Sequence, residues 1–126
     1  MHEQILKLST LNHTWIIDLD GTLVEHNGYK TGEDKLLDGA YEFMHSIPEN
    51  DYILIITARE LDAKEKTENF LNRNGIRYNQ ILFEMPMGER ILINDNKPSG
   101  LKCALALSPE RNQGLRNLKV EIDKKL

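Results

Sequence analysis

Two carboxylates stand one residue apart where an apolar run stops. Trp15-Ile16-Ile17 leads into Asp18-Leu19-Asp20, and Gly21-Thr22-Leu23 follows, as where a buried strand ends in a turn. Alternate residues of a strand lean to the same side, so Asp18 and Asp20 bring their charges together. Like charges that close are unfavourable unless a cation joins them or one keeps a proton. The pattern therefore points to hard-metal chemistry. Two other uses of these letters fit less well. A calcium-binding EF-hand loop needs Gly at its sixth position and Glu at its twelfth, where this chain has Leu23 and Tyr29. An Asp-Gly hairpin needs an alternating return strand, whereas residues 25–34 are polar and contain Gly28 and Gly32.

Further chemical groups recur at the ends of later apolar runs. Thr57 closes Tyr52-Ile53-Leu54-Ile55-Ile56 and precedes Ala58-Arg59. Its hydroxyl can donate to a phosphoryl oxygen, or cap the helix that follows, with Glu60 three residues on. A helix N-terminus with free N–H groups is itself an anion site. Ala58 and Arg59 are candidate substrate contacts, Arg59 equally a solvated charge. Asn94-Asp95-Asn96 follows Arg90-Ile91-Leu92-Ile93. Mg²⁺ takes one or two carboxylates and keeps several waters, so Asp18, Asp95 and the backbone carbonyl of Asp20 form a candidate Mg²⁺ site.

These groups must be brought together by the elements between them. The pattern predicts a lead-in at 1–13, a strand at 14–18, a loop at 25–32 and a helix at 33–47 closed by Pro48. A strand buried on both faces follows at 52–57, then a helix at 60–74 stopped by Gly75. Shorter strands are predicted at 80–83, at 90–94 after Pro86 and Gly88, and at 102–107. A terminal amphipathic helix is predicted at about 111–126, on the spacing of Leu115, Leu118 and Ile122. Strand alternating with helix implies right-handed crossovers and a parallel sheet covered on both sides. The fold class is thus α/β, a Rossmann-like three-layer sandwich with a central parallel sheet. Ligands of such sheets bind beyond the carboxyl ends of the strands, which is where Asp18, Asp20, Thr57 and Asp95 fall.

Composition narrows the classes. At 126 residues the chain is expected to form one domain over 1–126. A net charge of −4 without a basic stripe argues against nucleic-acid binding. One cysteine, Cys103, makes no internal disulfide, fits a reducing compartment and is expected in the core. No apolar run approaches the ~20 residues that span a bilayer, and Glu3 and Lys7 interrupt the start. A cytoplasmic protein that does not bind membranes is expected.

The strand followed by Asp18-Leu19-Asp20-Gly21-Thr22 resembles motif I of the haloacid dehalogenase superfamily. The resemblance extends from about residue 14 to 107, with Thr57 resembling motif II and Asp95 motif IV. It implies that Asp18 is the nucleophile, Asp20 the general acid/base and Thr22 a shaper of the turn. It also implies that the loop holding His26 and Tyr29 forms a flap. Motif III, a Lys in a Gly-Lys-Pro stretch, is the departure, since Met85 stands where Lys is expected in Phe83-Glu84-Met85-Pro86-Met87-Gly88-Glu89-Arg90. Lys97 is the candidate replacement and Lys64 its rival, while Arg90, heading its strand, is expected at the opposite edge. The intervals from Asp20 to Thr57 and from Thr57 to Asp95 are filled by one helix and its connections each. The protein is therefore expected to lack a cap domain, with an open site unless another copy of the chain covers it.

The expected function is a Mg²⁺-dependent phosphomonoester hydrolase working through an aspartyl-phosphate on Asp18. The wording around Met85, Gly88, Arg90, Asn94, Asp95, Lys97 and Pro98 resembles small hydrolases of surface-polysaccharide assembly. That likeness implies a small-molecule phosphate ester such as a sugar phosphate as substrate. Two other classes compete. A catalytically weak or inactive phosphate- or sugar-binding relative would explain Met85. A receiver-type signalling domain shares the inventory of acids, Thr and Lys, but its phosphoacceptor Asp ends a later strand. The acid nearest the middle strand here, Asp51, begins it.

Overall fold

A computed structural model describes residues 3–126 of the chain, so Met1 and His2 of the expected lead-in lie outside the described residues. Its strands are β1 (Gln4–Leu8), β2 (Thr14–Asp18), β3 (Tyr52–Ile56), β4 (Gln80–Leu82) and β5 (Leu118–Ile122). Its α-helices are α1 (Gly28–Thr31), α2 (Ala40–Ser46) and α3 (Lys64–Arg73), the last entered through a 3₁₀ turn at Leu61–Ala63. The fold is mixed α/β and Rossmann-like, with every named strand pair parallel. β2, β3 and β4 form one sheet in that order, and β1 and β5 form another.

The three-stranded sheet is built from β-branched residues whose alternation fixes its inner face. β2 and β3 pair from Thr14↔Tyr52 to Asp18↔Ile56, placing Ile17 level with Ile55. Ile17, Ile53 and Ile55 are buried with Phe43, Met44 and Ile47 at α2 and its C-terminal cap, and with Phe70 and Leu71 of α3. Ile16 points the other way and is 48% exposed. Gly75, at φ +68, ends the turn after α3, and the α3 and β4 expectations hold to within a few residues.

Helix α2 begins seven residues later than the periodicity predicts. Residues before it are drawn into tertiary hydrogen bonds: Glu25 N–H to the Lys35 carbonyl at 3.0 Å and Leu37 N–H to the Leu23 carbonyl at 2.9 Å. Gly39, at φ +78, then forces the break. The apolar spacing at Leu36 and Leu37 serves an extended segment docked on Val24.

Beyond β4 the structure departs from expectation. No strand forms at 90–94 or 102–107, and Ile91 and Ile93 are 83% and 92% exposed. An apolar run shows that a residue type suits a sheet, but a strand also needs a ladder partner for its N–H and C=O groups. None of the described residues supplies one here. Cys103 is only half-buried. In place of the terminal helix, Leu118-Lys119-Val120-Glu121-Ile122 is β5, paired with β1 in register Gln4↔Leu118 to Leu8↔Ile122. This stretch also alternates with period two, and the available edge of β1 decides between the two periods. The expected lead-in therefore contains a strand, Gln4–Leu8. No described helix is long and apolar enough to cross a membrane.

Candidate active site

The parallel ladder runs on past the ends of β2 and β3. Leu19 N–H reaches the Ile56 carbonyl and Thr57 N–H the Leu82 carbonyl, both at 3.0 Å. Asp18 and Thr57 thus leave the sheet at the same, carboxyl edge. The chain then turns tightly, with the N–H groups of Leu23 and Val24 on the Leu19 carbonyl at 3.0 and 3.1 Å. Gly21 makes the turn possible at φ +85. A side chain there would also crowd Arg111, whose Cγ lies 3.1 Å from where a Cβ would sit.

This turn gives the two carboxylates different surroundings. Asp20 is pinned: Oδ2 accepts the Thr57 hydroxyl at 2.8 Å, and Oδ1 accepts Arg59 Nε and Nη2 at 3.0 and 2.8 Å. Asp18 is more open, its side chain one-third exposed. Its Oδ2 accepts the Thr22 hydroxyl at 3.0 Å, and its Oδ1 is paired with Arg90 Nη1 at 3.0 Å. Proximity of like charges is relieved by dividing the cations, Arg59 to Asp20 and Arg90 to Asp18.

Arg59 is 3% exposed. Besides Asp20 it donates Nη2 to Asp34 Oδ1 at 2.7 Å, and Nη1 to Asp34 Oδ2 at 3.0 Å and Thr67 Oγ1 at 2.8 Å. A guanidinium has five N–H groups, and these contacts use all of them. The Tyr29 ring lies 3.9 Å from its Cζ. Burial works against the charged form, but the hydrogen bonds to Asp34 and Asp20 outweigh it and hold the Arg59 pKa above its ordinary value. Arg59, expected as a substrate contact or a solvated charge, is thus not solvated, and each of its N–H groups is directed at a protein acceptor. Thr57, expected to donate to a phosphoryl oxygen or to cap a helix, is fully buried and gives its one hydroxyl proton to Asp20. It caps no helix, accepting instead the Arg59 backbone N–H at 3.1 Å.

The chain matches no protein-family model and no curated protein. Among solved structures it is similar to a chain of the structure titled "Structure of Pnkp1/Rnl/Hen1 complex", at 27% identity and a TM-score of 0.51. The match covers 65% of this chain and 31% of that one, so this chain spans about a third of the chain it resembles.

The remaining candidates are dispersed. Ala58 is partly buried beside Thr57, while Asp95, Lys97 and Lys64 are exposed. No group of three or more His, Cys, Asp and Glu residues converges as a metal site among the described residues, so Asp95 does not join Asp18 and Asp20. Lys97 makes no ion pair with Asp18; its backbone is folded into a turn, with its N–H on the Leu101 carbonyl at 2.9 Å. The cation on Asp18 is Arg90, which was expected at the far edge. With no strand at 90–94, Arg90 heads nothing. The backbone after β4 tracks residues 57–59 instead, with Met85 N–H on the Thr57 carbonyl at 3.0 Å and Glu84 N–H on the Arg59 carbonyl at 2.8 Å. That path delivers Arg90 to the carboxyl edge.

Asp34 is the functional candidate that sequence reasoning missed. It sits in a polar loop with no spacing to mark it, yet it is 6% exposed. No signal in the sequence marks it, because a buried guanidinium beside one carboxylate calls for a second, and the burial of Arg59 is decided by the fold. Asp51 lies at the opposite, amino edge of the sheet, where it accepts His13 N–H and Trp15 Nε1, each at 3.0 Å.

Proposed function

We propose that this protein is a phosphomonoester hydrolase of the haloacid dehalogenase type, using Asp18 as nucleophile and Mg²⁺ as cofactor. The observation that carries the reading is the unequal treatment of two adjacent carboxylates at one parallel-sheet edge. Asp20 is fixed by three hydrogen bonds, whereas Asp18 keeps a third of its side chain open to an incoming ester. The likeness to a chain of the Pnkp1/Rnl/Hen1 complex supports the fold that this chemistry needs.

Asp18 and the Asp20 backbone carbonyl are hard oxygen donors, and one carboxylate with waters and substrate oxygens is a donor set that Mg²⁺ accepts. Oδ1 of Asp18 already holds a cationic group, Arg90. Bound there, the metal would supply charge neutralisation and orientation of the phosphoryl group. The Asp18 carboxylate attacks phosphorus in line as the ester oxygen departs, forming an aspartyl-phosphate. Asp20 takes up a proton from solvent and passes it to that oxygen, then takes one from the water that cleaves the intermediate. Thr57 and Arg59 keep the Asp20 carboxyl aimed. A sugar phosphate or another phosphorylated surface-polysaccharide precursor is the proposed substrate, by analogy of the stretch from Met85 to Pro98, and the proposed setting is the cytoplasm. A catalytically weak or inactive phosphate- or sugar-binding protein is the second reading, favoured by the exposed Asp95 and by Met85 in place of a lysine.

The test is phosphate release from p-nitrophenyl phosphate and a panel of sugar phosphates. Release should require Mg²⁺, stop in EDTA and vanish in Asp18→Asn, a near-isosteric change that leaves the fold intact. Undiminished release by Asp18→Asn would remove Asp18 as nucleophile. Binding of the same esters by wild type without any release would favour the second reading.

A further inference from the structure

Arg59 is held from two sides, and one of them lies outside the chemistry described above. On one side is Asp20. On the other are Asp34, which engages both Nη atoms at 2.7 and 3.0 Å, and the Tyr29 ring, stacked 3.9 Å from Cζ. Both come from the segment between β2 and α2, Tyr29 from the short helix α1 and Asp34 from the loop after it. That segment is tied to α3 as well, through Lys66 Nζ to the carbonyls of Tyr29 and Gly32 at 3.4 and 3.2 Å.

A planar guanidinium gripped along one edge only can still swing about that edge. A second carboxylate on another edge fixes its plane, and a ring on its face limits tilting. We infer that Asp34 and Tyr29 are positioning residues for Asp20, acting through Arg59, so that docking of the 25–34 segment sets the rate of the chemical step. This rests on the phosphatase reading for its kinetic consequence, and on geometry alone for the locking of Arg59.

The chemistry of the contacts predicts distinct effects. Asp34→Asn keeps the shape but replaces one acceptor oxygen by an amide NH₂ that faces an Arg59 N–H. The guanidinium must then turn, carrying the Asp20 carboxyl with it. Misplacing a reacting group by about 1 Å costs on the order of 10²-fold in rate, so kcat should fall roughly 10- to 100-fold. KM should stay within about twofold, because neither Asp34 nor Tyr29 is placed on the substrate. Tyr29→Leu removes the stack and should lower kcat by a few-fold, while Tyr29→Phe, which keeps the ring, regains that loss.

The experiment pairs steady-state kinetics with NMR of the Arg59 Nε–H in the full chain. In wild type this proton, buried on Asp20, should exchange slowly with water. In Asp34→Asn it should exchange markedly faster, and in Tyr29→Leu to a lesser degree. Retained protection in Asp34→Asn overturns the inference, whatever the activity. Lost protection with unchanged kcat also overturns it, since the lock would then not set the rate. If Asp34→Asn does not fold, Tyr29→Leu and Tyr29→Phe decide between the same outcomes. A wild type that releases no phosphate overturns the phosphatase reading, while faster Arg59 exchange in Asp34→Asn still supports the lock on Arg59.

Discussion

The Thr57 hydroxyl gives its proton to Asp20 Oδ2 at 2.8 Å and accepts the Arg59 backbone N–H at 3.1 Å. One buried oxygen thereby joins the end of β3 to the turn after β2. Thr57→Val keeps the volume and removes both bonds. It should destabilise the fold by about 1–3 kcal/mol, the cost of an orphaned buried donor, and lower kcat about 10- to 100-fold by freeing Asp20. Thr57→Ser, which keeps the oxygen, should recover most of both. Thermal melts and steady-state kinetics on the two variants check this; equal loss in Thr57→Ser would mean that the methyl group matters, not the hydroxyl.

Arg90, not Lys97, is the cation on Asp18. Fixed positive charge aimed at a developing oxyanion is typically worth about 10²–10³ in rate, and Met85 supplies none. Arg90→Met should therefore cut kcat by at least roughly 10-fold, with little change in Tm because the pair is partly solvated. Lys97→Met should stay within about twofold of wild type. Reversed results for the two variants would restore Lys97 to the site.

Asp51 makes stability depend on pH. It is 3% exposed. Burial opposes its ionisation, but hydrogen bonds from Trp15 and His13 outweigh that and lower its pKa below the ordinary carboxylate value. A group whose folded pKa is depressed binds fewer protons folded than unfolded. Its contribution is thus complete above the unfolded pKa of ~3.9 and is lost as pH falls through that value and then the folded one. Asp51→Asn should cost about 1–3 kcal/mol at pH 7, with the gap to wild type closing below about pH 4. Urea titrations at several pH values measure the gap, and a difference constant down to pH 2 would show that Asp51 is not the linked group.

Gly114 stands at φ +80, with the Asp38 carbonyl where a Cβ would lie. The adjoining Leu115 N–H bonds that same carbonyl at 2.8 Å, and Leu115 is buried in the core. Gly114→Ala should destabilise the protein by more than about 1 kcal/mol, lifting the 111–116 stretch from the turn at Gly21. Thermal melting of this variant, against Gly32→Ala in open space, isolates the effect.

What the sequence determined by itself was local. Apolar, β-branched runs at 14–18 and 52–56, each ending in a polar group, sufficed for two parallel strands and for Asp18, Asp20 and Thr57 at one edge, because period and turn chemistry are properties of neighbours in the chain. Tertiary structure decided whatever depended on a distant partner. Leu118 to Ile122 satisfies a helical and a strand spacing alike, and the edge of β1 selected the strand. Ile91 to Ile93 reads as a buried strand, yet without a ladder partner it is exposed. The roles of Arg59, Asp34 and Arg90 were illegible for the same reason: a charge takes its meaning from the counter-charge that folding puts beside it, and those partners lie 25, 39 and 72 residues away.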